Sequence, residues 1–317
     1  MSDYSLRLCQ PDDEPALLDL FALVFGQVRS SPEWHWKFVS SRALSSNAMS
    51  SDSLVAMDGQ GQIVAHAGAL ILPGQFQGRP IPIVQVCDVM VHPEHRGGLG
   101  RNNLFTLLLR ELLDHLARRL PSAFRYGFPG QRPYLLGEWA GVYERLEVAL
   151  ETELAPASSS FNLWRALPLA WDNRRLDRLW QRLGDQYALS LIRDGAYLRW
   201  RYAEHPVHDY QLTGLAFLGR LSGWVVWRQQ GERRLLVDAL IPRRAIRPAL
   251  QAAVMRLSRG MPSAATVIWL PESWREALDG PHHETPVVTA NMCWRSALDT
   301  QTVRQSLYYT MGDVDIF

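Results

Sequence analysis

Cysteine is scarce in this sequence: Cys9, Cys87 and Cys293 are the only three in 317 residues. They are odd in number, far apart and without metal-ligand spacing, which excludes a disulfide framework and a zinc site, and no metal is expected. An excess of one charge is also lacking. Lysine plus arginine total 33 and aspartate plus glutamate 32, a net of +1, which speaks against a nucleic-acid partner bound through overall charge. No uninterrupted apolar stretch approaches the length of a membrane span. The acidic start at Asp3, Asp12, Asp13 and Glu14 lacks the basic region of a secretory signal. A cytoplasmic protein with reduced, buried thiols is therefore the expectation, and the composition leaves its oligomeric state open.

What the chain does have is apolar material in quantity. Hydrophobic residues make up 47% and charged residues 21%, enough for two cores, and the length exceeds one comfortable core. Ser5 to Gln10 reads as a strand, and Glu14 to Phe25 as an amphipathic helix with Leu17, Leu18, Phe21, Val24 and Phe25 on its apolar face. Pro32 opens a short second helix. Strand signals follow at Leu54 to Met57, Gln62 to Leu72 and Ile83 to Val91, then a leucine-rich helix from Arg101 to Leu120. A strand at Ala123 to Phe128, a helix around Tyr134 to Trp139 and a strand at Arg145 to Glu153 complete this half. The small, non-periodic run from Ala155 to Ser160 is the expected linker, dividing the chain into domains at 1–154 and 161–317.

Beyond the linker the order recurs in part. Tyr210 to Leu218 and Leu221 to Gln229 read as a hairpin turning at Gly219-Arg220, followed by a strand at Arg234 to Ile241 and a helix at Pro248 to Ser258. Strands at Thr266 to Leu270 and Val287 to Arg295 flank a short helix. The run Val86 to Pro93 parallels Leu236 to Pro242: each is a strand with an internal aspartate, Asp88 or Asp238, closed by proline before a helix. Only the first copy is followed by glycines.

Those glycines lie in His95-Arg96-Gly97-Gly98-Leu99-Gly100, between the apolar strand and the leucine-rich helix. Backbone N–H groups can converge there on an anion, aided by the partial positive charge of a helix N-terminus, and a pyrophosphate suits such a cradle. No Gly-Lys-Ser/Thr follows and no Gly-x-Gly-x-x-Gly is present, so nucleoside triphosphates and dinucleotides fall behind.

The run Val91 to Arg101 resembles the acyl-coenzyme A pyrophosphate loop of the GNAT (GCN5-related N-acetyltransferase) superfamily, and the strand order before it and the helix after it match as well. The segments Gly127 to Gly130, Tyr197 to Tyr202 and Tyr308 to Asp313 resemble a bacterial subgroup with a second, degenerate GNAT-like domain. The resemblance implies an α/β protein of the α+β type, with two GNAT-like domains, each a mixed, largely antiparallel central sheet flanked by helices. Acetyl-CoA or another acyl-CoA would be the co-substrate. It would contact Met90, Val91, His95, Arg96, Gly97, Gly98, Leu99, Gly100 and Arg101, with either His95 or Arg96 in the leading phosphate position. The second domain would help shape an acceptor groove. The acceptor would be a small amine-bearing molecule: an amino sugar, an amino acid or a biosynthetic intermediate. An aminoacyl transferase of the related double-domain type and a non-catalytic CoA-binding or scaffold protein are the alternatives.

Acyl transfer to an amine needs a proton acceptor for the amine, stabilisation of an oxyanion and a proton for the leaving thiolate. Asp88, a carboxylate in an apolar strand, is the candidate base or orienting group, with a buried structural carboxylate as the alternative. Counted back from Gly141, the superfamily's usual tyrosine acid falls on Gly137. Tyr134 and Tyr143, on either side, are the substitutes, and a packed tyrosine is the bland reading for each. His92 and His95 suit positioning of phosphate, and Cys87 lacks the partners of a covalent nucleophile. The apolar end of the chain, after Asp313 and Asp315, is expected to dock rather than fray.

Overall fold

The computed structural model describes residues 4–44, 52–97, 103–155, 162–259 and 264–314. The chain forms two compact units. The first comprises Met1–Gly74, Pro80–Leu146 and Val287–Arg304, and the second Gln75–Arg79, Glu147–Pro286 and Gln305–Phe317. The linear division at 154 and 161 is not the division in space. Residues 287–304 join the first unit although they lie late in the sequence, and 147–154 join the second.

In chain order the elements are β1 (Ser5–Leu8), α1 (Glu14–Phe25), α2 (Ser31–Phe38), β2 (Asp52–Met57), β3 (Ile63–Phe76), β4 (Arg79–Val91), α3 (Leu104–Arg119), β5 (Phe124–Gly127), α4 (Gln131–Trp139) and β6 (Tyr143–Leu154). They continue with β7 (Trp164–Pro168), α5 (Asn173–Leu183), β8 (Leu189–Leu191), α6 (Gly195–Leu198), β9 (Gln211–Phe217), β10 (Arg220–Gln230), β11 (Arg233–Leu240), α7 (Ile246–Leu257), β12 (Ala265–Trp269), α8 (Glu272–Arg275), β13 (His282–Met292) and α9 (Thr300–Ser306).

The strands of the first unit run in the order β1-β2-β3-β4-β5-β13, and those of the second in the order β7-β9-β10-β11-β12-β6. Each unit contains a parallel pair, β4 with β5 and β11 with β12, beside antiparallel neighbours. Each takes its sixth strand from the other half of the sequence. The mixed, helix-flanked sheet expected for each half is present, and the partial recurrence in the sequence corresponds to this repeated strand order.

Local signals account for many of the boundaries. Gly26 stops α1 in the left-handed conformation at φ 67°, and Ser30 with Glu33 forms a capping box for α2. Asn103 caps α3 by accepting a hydrogen bond from the Thr106 amide at 2.9 Å, and Leu104, Leu108, Leu109, Leu112, Leu113 and Leu116 turn one buried stripe toward the first unit's core. The β9–β10 hairpin turns at Leu218 (φ 47°) and Gly219 (φ 82°), one residue before the expected position. Both central residues lie at positive φ, as a tight two-residue turn that follows the strand twist demands.

Candidate active site

Strands β4 and β5 pair in parallel from Ile83↔Phe124 to Val86↔Gly127 and then part. Two residues beyond the last pair, Asp88 adopts φ 45°, an uncommon conformation for a residue with a β-carbon. This local break in the strand redirects the backbone before Val89 to Val91. From there the chain passes through the turn Pro93–His95 to the start of α3.

A cavity of about 450 Å³ opens at this point in the first unit. Val89 and Val91 of β4 form one side, and His95, Arg96 and Gly97 of the turn form the end. Asn103, Leu104 and Phe105 bring in the N-terminus of α3, Arg132, Pro133 and Leu136 the first turns of α4, and Val24 and Phe25 the last turn of α1. The walls are mostly apolar, with cationic groups and a helix N-terminus at the edge, a combination suited to an organic ligand bearing a negatively charged group.

The turn is held in place by specific bonds. His95 Nδ1 lies 3.0 Å from the Tyr4 hydroxyl, and Arg96 donates from Nε to the Val91 carbonyl at 3.0 Å. Arg96 is thus anchored by one nitrogen, and its terminal nitrogens make no hydrogen bond among the described residues. His92 accepts from the Glu94 amide at 3.3 Å, so it stabilises the turn, and it is not among the described residues lining the cavity. Gly98, Leu99, Gly100 and Arg101 lie outside the described residues. Met90, also expected at the ligand, is fully buried and absent from the described lining.

Asp88 is buried and carries two cations, Arg29 through Nη1 and Lys37 through Nζ at 3.0 Å. Burial alone would raise its carboxyl, but the charges of Lys37 and Arg29 outweigh burial and hold it well below the usual carboxylate range. A carboxylate so held is a weak proton acceptor and a strong electrostatic anchor. Arg29 also lies over the Phe21 ring, 3.9 Å from its centre, which ties α1 to this cluster. His66 of β3 completes the surroundings, with Nδ1 2.8 Å from the Asp88 carbonyl oxygen.

The two tyrosines belong to the apolar core of the first unit, and neither is among the described lining residues. The Tyr134 hydroxyl donates to Glu138, one helical turn on. Burial first, and the Glu138 carboxylate second, push its phenol up to about 12. Burial raises Tyr143 further. A β-carbon on Gly137, the position where the superfamily spacing expects its acid, would collide with the Tyr143 ring. Glycine at 137 is therefore a packing requirement: the ring of Tyr143 fills the space above it.

Sequence reading missed Arg132, Asn103 and the partners of Asp88. It read Val24 and Phe25 only as part of a helix's apolar face; Phe25 is 46% exposed among the described residues and contributes to the cavity wall. Periodicity identifies an apolar stripe but does not say whether protein or ligand covers it.

The mixed sheet, the irregularity in its fourth strand and the turn leading into α3 are those of a GNAT-type fold. Residues 5–142 match the acetyltransferase (GNAT) domain family, so this part of the chain is similar to GNAT acetyltransferases. Similar solved structures include a conserved protein of unknown function from Enterococcus faecalis V583 described as a probable N-acyltransferase. It has 14% identity and a TM-score of 0.70, covering 95% of this chain and 74% of that one. A GCN5-related N-acetyltransferase from Kribbella flavida has 16% identity and a TM-score of 0.64, covering 92% and 72%. A tandem GNAT protein from the clavulanic acid biosynthesis pathway has 15% identity and a TM-score of 0.54, covering 94% and 100%. No curated protein matches the sequence significantly.

Proposed function

We propose that the protein transfers an acyl group, acetyl in the first instance, from coenzyme A to the amine of a small acceptor by direct transfer within a ternary complex. The observation that carries this reading is the cavity bounded by Val89 and Val91, the His95–Gly97 turn and the N-terminus of α3. Its apolar walls suit a pantetheine arm and an acyl group. Arg96, Arg132 and the helix N-terminus suit phosphates. None of the described lining residues carries a thiol or hydroxyl, which supports direct attack by the acceptor over a covalent acyl-enzyme. Asp88 stays ionised between Arg29 and Lys37, so its part in this reading is to anchor the strand break and orient charge near it. Amino sugars, amino acids and biosynthetic intermediates with a free amine are the acceptors to screen.

The test is thermal stabilisation by acetyl-CoA, coenzyme A and NADH in parallel, followed by thiol release across a panel of such amines. Both CoA compounds at about 100 times their dissociation constant are expected to stabilise the fold by about 2.7 kcal/mol, with NADH inert. Absence of a shift with either CoA compound overturns the proposal. Binding without thiol release from any amine would leave a CoA-binding protein in its place.

A further inference from the structure

His66 is fully buried on β3, between α2 and the break in β4. Its ring lies 5.7 Å from that of Trp34 and 6.0 Å from that of Phe38. Its Nδ1 is 2.8 Å from the carbonyl oxygen of Asp88. A carbonyl oxygen can only accept, so Nδ1 carries the hydrogen. Burial lowers the imidazole to about 4, outweighing the pull of Asp88 in the other direction, so the ring is neutral near pH 7. Nε2 is then a bare lone pair, and it has no hydrogen-bond partner among the described residues. A fully buried imidazole kept neutral, with one nitrogen unsatisfied and the other committed to a single backbone carbonyl, is costly to maintain.

The bond it makes has a geometric consequence. Across a trans peptide the carbonyl and the following N–H point in opposite directions. Among the described residues no peptide bond is cis, and Asp88 sits at φ 45°. Holding the Asp88 carbonyl toward His66 therefore turns the Val89 amide the other way. Val89 is the first residue after the break that lines the cavity.

We propose that His66 is a positioning residue: by donating to the Asp88 carbonyl it fixes the 88–89 peptide so that the Val89 N–H addresses the acyl carbonyl of a thioester in the cavity. The inference rests on the acyl-CoA reading above. Asp88 takes part through its backbone, which frees its side chain for Arg29 and Lys37.

The test compares ligands that differ only at the carbonyl. Acetyl-CoA and S-ethyl-CoA share the nucleotide, the pantetheine arm and nearly the same volume, but only the first has an oxygen for the Val89 amide. The full chain is expected to bind acetyl-CoA about 5- to 10-fold more tightly, the worth of one hydrogen bond. In His66→Leu the ratio should fall to about one, with S-ethyl-CoA affinity unchanged. In His66→Asn, whose amide nitrogen can stand near the Nδ1 position, most of the ratio should return. His66→Gln, with its donor displaced toward Nε2, should resemble leucine, and the Asn–Gln contrast decides the matter if the leucine variant does not fold. A ratio that is the same in all folded variants overturns the role of His66 and leaves acyl-CoA binding intact. Failure of the unaltered protein to bind either ligand overturns both.

Discussion

The two units contain the same strand arrangement put to opposite uses. In the first, the parallel pairing ends at Val86 and Asp88 follows two residues later; in the second, it ends at Leu236 and Asp238 follows two residues later. Both aspartates mark an irregularity: Asp88 by its φ of 45°, Asp238 by an extra residue, Val237, that β11 inserts opposite β10. Past Asp88 the first unit opens into a cavity. Past Asp238 the second unit is filled.

The filling comes from the segment Tyr308 to Val314. Arg193, fully buried, donates through Nε to Asp238 at 2.9 Å and through Nη2 to Asp313. Thr310 and Tyr202 also donate to Asp238, at 3.1 and 2.8 Å, and Arg201 holds the carbonyls of Gly312 and Val314 at 2.9 and 3.0 Å. Asp313 is thus spent inside the second unit, and Asp315 lies outside the described residues. The comparison teaches that the parting of two parallel strands does not by itself make a site. Among the described residues of the first unit, no such segment fills the gap.

The strongest way to break the comparison is to unseal the second unit. Arg193→Met would leave two buried carboxylates without their guanidinium, at an expected cost of about 3–5 kcal/mol. Urea unfolding of the full chain would show it. A loss under 1 kcal/mol would mean that the network is not what closes this unit.

A smaller effect should come from pH and the open unit. The folded-state value of His66, about 4, lies below its ordinary 6.5. The unfolded chain therefore takes up the proton first, and the stabilisation from a neutral His66 is full above about pH 6.5 and is lost as pH falls toward 4. The lost term is on the order of 3 kcal/mol. His66→Asn should flatten that part of the stability profile, and equal slopes in the two proteins would contradict it.

The least effect is expected from a matched pair of glycines. A β-carbon at Gly312 would strike the Tyr202 hydroxyl, which bonds to Asp238, while one at Gly137 would strike the Tyr143 ring. Alanine at either position should cost about 1–3 kcal/mol by overpacking. The filled unit should lose more, because a hydrogen bond is displaced along with a ring. Denaturant midpoints would rank the two, and the reverse order would argue that the open unit is the more tightly packed.

Much of the first unit was legible in the sequence because its signals are local. The leucine stripe of α3, the apolar face of α1 and the turn after Val91 each lie within a short window. The arginine-rich helix α5 was not anticipated, although Leu176, Leu179, Trp180 and Leu183 stand at helical spacing and are buried. The exchange of β6 and β13 was not legible at all, since alternation marks a strand but does not name its neighbour. The site was legible to the same degree. The loop was visible, whereas the grouping of Arg29, Lys37, His66 and Asp88 depends on contacts across tens of residues that no periodicity records.

The ion pair between Lys37 and Asp88 carries a last consequence. Lys37 is the only lysine in the sequence, the other basic side chains of its class all being arginine, and it is 2% exposed. In the acyl transfer proposed above, the protein's own side-chain amines would compete with the acceptor. Here the single lysine amine is buried, its Nζ 3.0 Å from the Asp88 carboxylate. The chain thus presents no exposed lysine that could compete for the acyl group in that reaction.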